Sequence, residues 1–244
     1  MTTPALATTV KGKGRHYAHP TTGELVPSVT NVLSMLAKPA LVGWAAKVVA
    51  ERAADLRNTL PLMERDEVVK VLKGAASRSA SKAATRGTDI HAYLESRLHS
   101  IEPDDLDESA EPYRAAAESW LENHVSETVA VETTMFTPVY AGTADAVVEM
   151  GDKTVLVDFK TSRAIYPEAA LQLAALWSGT LWHDGGTLID RVPIDALAVV
   201  RIGTNGEWET QFVADPSGSL SVFHALLNVW SWSHSDENVY TEEL

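Results

Sequence analysis

Two acidic side chains and a lysine lie in two neighbouring strand-like segments. Asp145 lies in GTADAVVEM, and Asp158 and Lys160 lie in VLVDFK. Residues i and i+2 of a strand point to the same face, so Asp158 and Lys160 project together. Aspartate is disfavoured in strands, and a carboxylate among apolar residues costs free energy unless it is paired or binds a metal. For each residue alone, a solvent-facing aspartate or a plain ion pair explains the pattern equally simply.

The segment between Asp145 and Asp158 favours an arrangement in which their side chains lie close together. Residues 150–153 (MGDK) predict a tight turn, so Asp145 and Asp158 would lie at comparable distances from it on antiparallel strands. Two close carboxylates repel each other unless a cation lies between them. Oxygen ligands of this kind suit Mg²⁺ or Mn²⁺. The two segments together therefore indicate a divalent-metal site, which neither segment indicates alone.

Polar residues in two predicted helices are further candidates. His91 lies in RGTDIHAYLES, with Glu95 one turn later on the same helical face. Gly87 costs about 1 kcal/mol relative to alanine within a helix, which points to a close backbone approach there. Gln172 interrupts the apolar run ALQLAAL, which indicates a specific contact. An ordinary histidine and an exposed glutamine remain the simpler alternatives.

Turn residues, caps and apolar periodicity predict the elements that position these side chains. In the first half of the chain, these signals predict a hairpin at 15–27, helices at 28–36, 39–56, 63–74, 77–99 and 113–125, and an acidic loop at 102–112. In the second half, they predict strands at 130–136, 139–150 and 153–159, a helix at 168–182, strands at 196–203 and 208–214, and a helix at 219–232. This order predicts one α/β domain over 1–244, with a small mixed sheet flanked by helices. Its parts would be a mainly helical region (1–127), a mixed-sheet core (128–233) and a polar tail (234–244).

Composition narrows the classes of function. The chain has 244 residues and no cysteine, which excludes disulfides, thiolate metal sites and cysteine-ligated iron–sulfur clusters. The net charge is −13, yet residues 1–100 carry 14 Lys and Arg against 8 Asp and Glu. That basic part could face nucleic-acid phosphates, or the asymmetry could serve solubility alone. With no signal-peptide pattern and no long apolar run, we expect a cytoplasmic protein without a membrane partner.

The set of motifs resembles the RecB-like exonuclease family of PD-(D/E)xK nucleases, in its stand-alone phage form. The resemblance covers residues 15–180, and PSVTNVLSMLAKPALVGWAA is similar to the opening of the phage proteins. It rests on Gly87-x-x-x-His91, Glu132, Gly142-x-x-Asp145, Asp158-Phe159-Lys160-Thr161-Ser162 and Gln172-Leu173. It implies a restriction-endonuclease-like core with a helical N-terminal region. The chain departs from some members in having Asp158 rather than glutamate, and in lacking the four cysteines of an iron–sulfur cluster.

The resemblance also implies roles for individual residues. Asp145, Asp158 and the backbone carbonyl of Phe159 would bind Mg²⁺ or Mn²⁺, with His91 as a further ligand. Lys160 would position or deprotonate the attacking water, and Gln172 would orient the site. Glu132 and Glu95 are acidic positions of uncertain role. The DNA contacts that we expect are Arg78, Lys82 and Arg86 on the helix of His91, together with Thr161 and Tyr166; a solvated helical face explains the three basic residues equally simply.

The expected activity is metal-dependent DNA exonuclease cleavage in phage or bacterial recombination, repair or replication. Three alternatives stay open: a structure-specific endonuclease with the same site, a non-catalytic DNA-binding protein that kept the fold, and an α/β domain without a site. The expected partner is DNA. A homo-oligomer and a recombination partner, such as a strand-annealing protein, are compatible with the resemblance.

Overall fold

A computed structural model describes residue 4 and residues 6–235 of the chain. The helices are α1 (Val29–Leu33), α2 (Pro39–Asp55), α3 (Arg65–Lys73), α4 (Ala75–Leu98), α5 (Arg114–His124), α6 (Glu168–Trp177) and α7 (Pro216–Ser233). The strands are β1 (Ala7–Val10), β2 (Gly14–Ala18), β3 (Leu25–Pro27), β4 (Glu127–Phe136), β5 (Ala141–Met150), β6 (Lys153–Lys160), β7 (Leu181–Asp184), β8 (Thr187–Ile189), β9 (Ala196–Ile202) and β10 (Trp208–Phe212). The predicted mixed α/β class is confirmed.

A seven-stranded mixed sheet, in the order β10-β9-β6-β5-β4-β7-β8, lies between two groups of helices. The β6 and β9 strands run parallel, and the other neighbours in this sheet run antiparallel. Because successive strand residues point to opposite faces, Leu156 joins the core under α1, α6 and α7, whereas Val155 and Val157 join the core under α4 and α5. Both faces of the central strands are therefore buried, which fixes their register.

The sheet is larger than the predicted small sheet, because one predicted helix ends early. The helix expected over 168–182 stops at Trp177, and Leu181–Asp184 instead forms β7 beside β4, with Trp182 paired to Met135. Gly179 lies between the two elements, where an added Cβ would come within 2.8 Å of Met135 Cβ. The close approach to β4 thus ends the helix. Apolar periodicity missed this, because a short buried strand and a helical turn share the same pattern.

The N-terminal region opens with a second sheet, in the order β1-β2-β3. The hairpin predicted at 15–27 is present as β2 and β3, whereas β1 was not predicted. Ser28 caps α1 as predicted, since its Oγ accepts a hydrogen bond from the Asn31 N–H at 3.1 Å. Helix α1 follows directly after β3 and packs against the main core, where Val29 and Val32 are buried.

The remaining helices of the N-terminal region differ in their burial. As predicted, α2 begins at Pro39 and Gly74 caps the end of α3, yet neither helix contains a fully buried residue. By contrast, α4 buries Ile90, Tyr93 and Leu94 against the sheet. Of the predicted polar tail, 236–244 lie outside the described residues. No helix in the described part of the chain combines the length and the apolar character that a bilayer crossing requires.

Candidate metal-binding and catalytic site

The two aspartates lie where the β5–β6 ladder ends. The turn at 150–153 pairs Met150 with Lys153, and the ladder continues from there to the pair Ala146 and Val157. One further step in this register sets Asp145 opposite Asp158. The backbone pairing stops before that position, and Asp145 Oδ2 accepts a hydrogen bond from the backbone N–H of Phe159 at 2.7 Å.

Asp145 belongs to a cluster with His91 and Glu132. One ligand atom from each residue lies within 4.8 Å of the other two, and His91 Nδ1 lies 3.4 Å from Asp145 Oδ1. The three side chains come from α4, β4 and β5, and all are half-buried. The ring of Phe159 meets the His91 ring edge-on, with 6.5 Å between the ring centroids. An imidazole and two carboxylates therefore converge on one point beside the end of the ladder.

Glu132 reaches this cluster through an unusual backbone conformation. Its φ is 47°, in the left-handed region that non-glycine residues rarely adopt. The flanking pairs, Val131 with Ala146 and Thr133 with Ala144, place Glu132 opposite Asp145. Such a conformation costs on the order of 1–3 kcal/mol and is found most often at functional sites. The backbone of β4 is therefore held in a strained form at the residue that faces Asp145.

The second group at the site is Asp158 with Lys160 and Gln172. Lys160 Nζ lies 2.7 Å from Asp158 Oδ1 and 2.6 Å from Oδ2. Gln172 Nε2 donates to Asp158 Oδ1 at 2.8 Å, while its Oε1 lies 3.4 Å from Lys160 Nζ. The Asp158 side chain is only 2% exposed, so Lys160 and Gln172 hold its carboxylate away from solvent.

Charge and burial act against each other on His91 and Asp145. Burial lowers the pKa of His91, but the charge of Asp145 and the hydrogen bond to it outweigh burial and raise the pKa to about 8. Burial raises the pKa of Asp145, but the charge of His91 and its hydrogen bond outweigh it and lower the pKa below its usual value. In the metal-free protein the two residues therefore form an ion pair at neutral pH.

The other two carboxyl groups hold their protons more tightly. Burial raises the pKa of Glu132 to about 7, and the charges of Asp145 and Glu95 add to that effect. Burial also raises the pKa of Asp158 to about 6, although the charge of Lys160 opposes the rise. Burial lowers the pKa of Lys160, but the charges of Asp158 and Asp145 outweigh it and raise the pKa, so the ammonium stays protonated. The site holds more carboxylate than its own cations neutralise.

The donor set fits a divalent cation. Two carboxylates and an imidazole are a ligand combination that Mn²⁺ accepts readily, and Mg²⁺ takes the carboxylates. A cation there would offset both the burial and the carboxylate repulsion that raise the pKa of Glu132. The predicted ligands His91 and Asp145 thus come together with Glu132, the residue whose role the sequence left open. Asp158 is not part of this three-residue cluster, and Phe159 reaches the site through its N–H.

The predicted DNA contacts on α4 lie in different environments. The guanidinium of Arg86 stacks over the Tyr113 ring, 5.2 Å from its centroid, which ties α4 to the chain before α5. Arg78 is exposed and donates to the Val71 carbonyl at 2.5 Å. Lys82 is exposed to solvent. Arg86 therefore has a packing role in the structure, whereas Lys82 presents its charge to solvent.

The remaining predicted residues lie around the end of β6. A Cβ added to Gly87 would lie 3.4 Å from Thr161 Oγ1, so the α4 backbone passes beside the end of β6 at ordinary contact distance. Tyr166 is 49% exposed in the loop before α6. Lys38, which the sequence analysis did not single out, lines a cavity shared with Lys160 and Gln172. Its only sequence signal was its position in the segment similar to phage proteins.

The comparisons with known proteins add no relative. No family model matches the chain, and no curated protein matches it significantly. The site geometry and the sequence motifs therefore carry the functional argument.

Proposed function

We propose that this protein is a divalent-metal-dependent deoxyribonuclease of the PD-(D/E)xK type, acting as an exonuclease. The observation that carries the proposal is that Asp145 and Asp158 take opposed positions just past the last pair of the β5–β6 ladder, with Asp145 bonded to the Phe159 N–H and Lys160 bonded to Asp158. The cluster of His91, Glu132 and Asp145, to which α4 contributes the histidine, supports the proposal. The RecB-like motifs are the reason for choosing DNA and an exonuclease within this class.

His91, Glu132 and Asp145 would hold the cation. When bound, Mg²⁺ or Mn²⁺ lowers the pKa of a water molecule and neutralises charge on the phosphate. The strained backbone of Glu132 and the N–H of Phe159 preorganise the two carboxylates before the cation arrives. Preorganised ligands lose little entropy on binding, so these contacts favour metal affinity.

Lys160 supplies positive charge where negative charge develops on the scissile phosphate. Its raised pKa keeps it protonated at neutral pH, and a fixed ammonium in a half-buried site stabilises such charge more strongly than one in water. Asp158 and Gln172 hold the ammonium from one side. They act as positioning residues, because their contacts fix the direction of Nζ.

The basic residues of the first 100 positions would hold the DNA backbone. Lys82 is exposed on α4, the helix that carries His91. Phosphate contacts of this kind position DNA without reading its sequence. A role in phage or bacterial recombination, repair or replication, in the cytoplasm, completes the proposal.

The test uses linear and covalently closed circular DNA with Mn²⁺, with Mg²⁺ and with EDTA. We expect end-labelled linear DNA to be degraded only with metal, and closed circles to persist because they offer no end. The Lys160→Ala variant should lose cleavage, whereas Lys153→Ala, an exposed lysine at the other end of β6, should keep it. Cleavage of closed circles would indicate an endonuclease. Metal-dependent binding without any cleavage would indicate a non-catalytic DNA-binding protein.

A further inference from the structure

A cavity of about 600 Å³ opens beside Lys160 and Gln172. Its walls are α1, the segment that leads into α2, and the loop and first turn of α6. The cavity adjoins the proposed catalytic site, since Lys160 and Gln172 belong to both. Its lining also includes Leu33, Leu36, Leu41, Tyr166 and Ala169.

The lining combines polar and apolar side chains. Lys160 and Gln172 contribute polar atoms, while the three leucines and Ala169 contribute apolar surface. Lys38 and Glu168, which also line the cavity, form an ion pair at 3.3 Å between the segment before α2 and the first turn of α6. The Lys160 ammonium, which is paired with Asp158, is the other charged group of the lining.

Tyr166 adds a half-exposed aromatic ring to this wall. It is 49% exposed, and it lines the large cavity and also a smaller one of about 150 Å³ that includes Phe212. Among the described residues, no hydrogen bond to the Tyr166 hydroxyl fixes the position of the ring. An exposed aromatic beside an apolar wall is the arrangement on which an unpaired nucleobase stacks.

We propose that this cavity receives one unpaired nucleobase adjoining the scissile phosphate, so that the substrate is a single-stranded end. The inference rests on the proposed function, because that function places the scissile phosphate beside Lys160. A volume of this order accommodates a ligand of nucleotide size. A base within a duplex cannot occupy the cavity, because its edge is paired and its faces are stacked. A single strand has neither constraint, so its bases reach the apolar wall without the cost of unpairing.

Binding of a short single-stranded oligodeoxynucleotide that carries the fluorescent base 2-aminopurine tests this inference. Binding is measured with Ca²⁺, and a blunt duplex of the same sequence is the comparison. We expect Tyr166→Ala to raise the Kd for the single strand about tenfold, as loss of one base–aromatic stack does. Tyr166→Phe should keep the affinity. Trp232→Ala, which removes an exposed ring on α7 outside the cavity, should leave it unchanged.

A second pair of variants covers the case in which Tyr166→Ala does not fold. Leu41 is 53% exposed and lines the cavity, whereas Leu62 is 85% exposed and does not. Leu41→Asp should weaken single-strand binding by placing a negative charge in the wall, and Leu62→Asp should not. Equal affinity in the members of either pair, or an equal loss on the duplex, would overturn the inference.

The two proposals fail in different ways. If the wild-type protein cleaves no DNA under any metal condition, the proposed nuclease activity fails, while the binding comparison still decides the cavity. If it cleaves DNA but Tyr166→Ala and Trp232→Ala bind the single strand equally, the cavity inference fails and the nuclease proposal stands.

Discussion

Glu132 lies opposite Asp145 across the β4–β5 ladder, and it does so with a left-handed backbone. Opposed carboxylates on neighbouring strands destabilise a sheet, because like charges repel. Here the repulsion is concentrated beside His91, whose imidazole lies 3.4 Å from Asp145. A fold that maintains both backbone strain and charge repulsion at one point is stabilised when a cation binds there.

Divalent metal should stabilise the wild-type protein against heat through Glu132 and Asp145. Ligand binding to the native state alone contributes about 2.7 kcal/mol at a concentration one hundred times the Kd. Mn²⁺ titrations followed by thermal unfolding should therefore raise the Tm of the wild type. The rise should be absent in Glu132→Gln and present in Glu127→Gln, an exposed glutamate on the same strand. An equal rise in both variants would remove Glu132 from the metal site.

The metal-free protein should lose stability as pH rises, because of Glu132. Its folded pKa of about 7 lies above its ordinary 4.5, so the fold disfavours the charged form, and its contribution is lost between those values. This shift of the pKa corresponds to a free-energy difference of roughly 3 kcal/mol. In urea unfolding with EDTA present, the free energy of unfolding should fall more steeply with pH for the wild type than for Glu132→Gln, between pH 4.5 and about 7. Parallel curves would contradict the prediction.

His91 should also make the metal-free protein less stable as pH rises, but at a higher pH than Glu132 does. Its folded pKa is raised to about 8 from 6.5, so its stabilising ion pair with Asp145 is complete below pH 6.5 and is lost as pH rises through 8. The contribution is about 2 kcal/mol. The His91→Gln variant in EDTA should therefore be less stable than the wild type at pH 6, and the gap should narrow by pH 9. If the difference in stability between the wild type and His91→Gln does not change with pH, lost packing alone explains the lower stability of the variant.

Gln172 should matter for turnover more than for substrate binding, if the nuclease proposal holds. Its side-chain amide contacts Asp158 and Lys160, and misplacement of a catalytic group by about 1 Å lowers rates by about a hundredfold. Gln172→Ala should therefore lower kcat by about 10–100-fold with little change in KM. Gln211→Ala, an exposed glutamine on β10, is the matched control. A change in KM alone would assign Gln172 to substrate binding instead.

Gly142 should be intolerant of a side chain for packing reasons. An added Cβ would lie 2.8 Å from Leu176 and 3.0 Å from Val29, which pack against β5 from α6 and α1. Overpacking of this kind costs about 1–3 kcal/mol, so Gly142→Ala should lower the free energy of unfolding by that amount. Gly43→Ala meets no atom within 4 Å in α2 and should stabilise the protein by up to about 1 kcal/mol. Chemical denaturation of both variants checks the contrast.

The sequence predicted the elements that carry Asp145 and Asp158 because strand alternation and turn chemistry are local signals. Both strands and the turn between them have the predicted pairing, and so the register of Asp145 and Asp158 followed from counting residues. His91 was placed on α4 for the same reason, since helical periodicity over a long segment is strong.

The sequence could not predict what depends on tertiary contact. Glu132 reaches the cluster through a positive φ, and no local pattern marks a non-glycine residue for that conformation. The break after Trp177 depends on how closely Gly179 approaches Met135 on another strand. The stacking of Arg86 on Tyr113 likewise joins residues distant in sequence, and it removes Arg86 from the exposed surface that the helix pattern suggested.

The two N-terminal helices α2 and α3 bury no residue completely, and this has a consequence for motion. Elements with little buried apolar area open at low free-energy cost while the rest of the fold stays intact. Amide hydrogens of α2 should therefore exchange with solvent far faster than those of β5 and β6. Because Leu41 of α2 forms part of the wall beside Lys160, that wall can yield while the carboxylates on the central strands keep their positions.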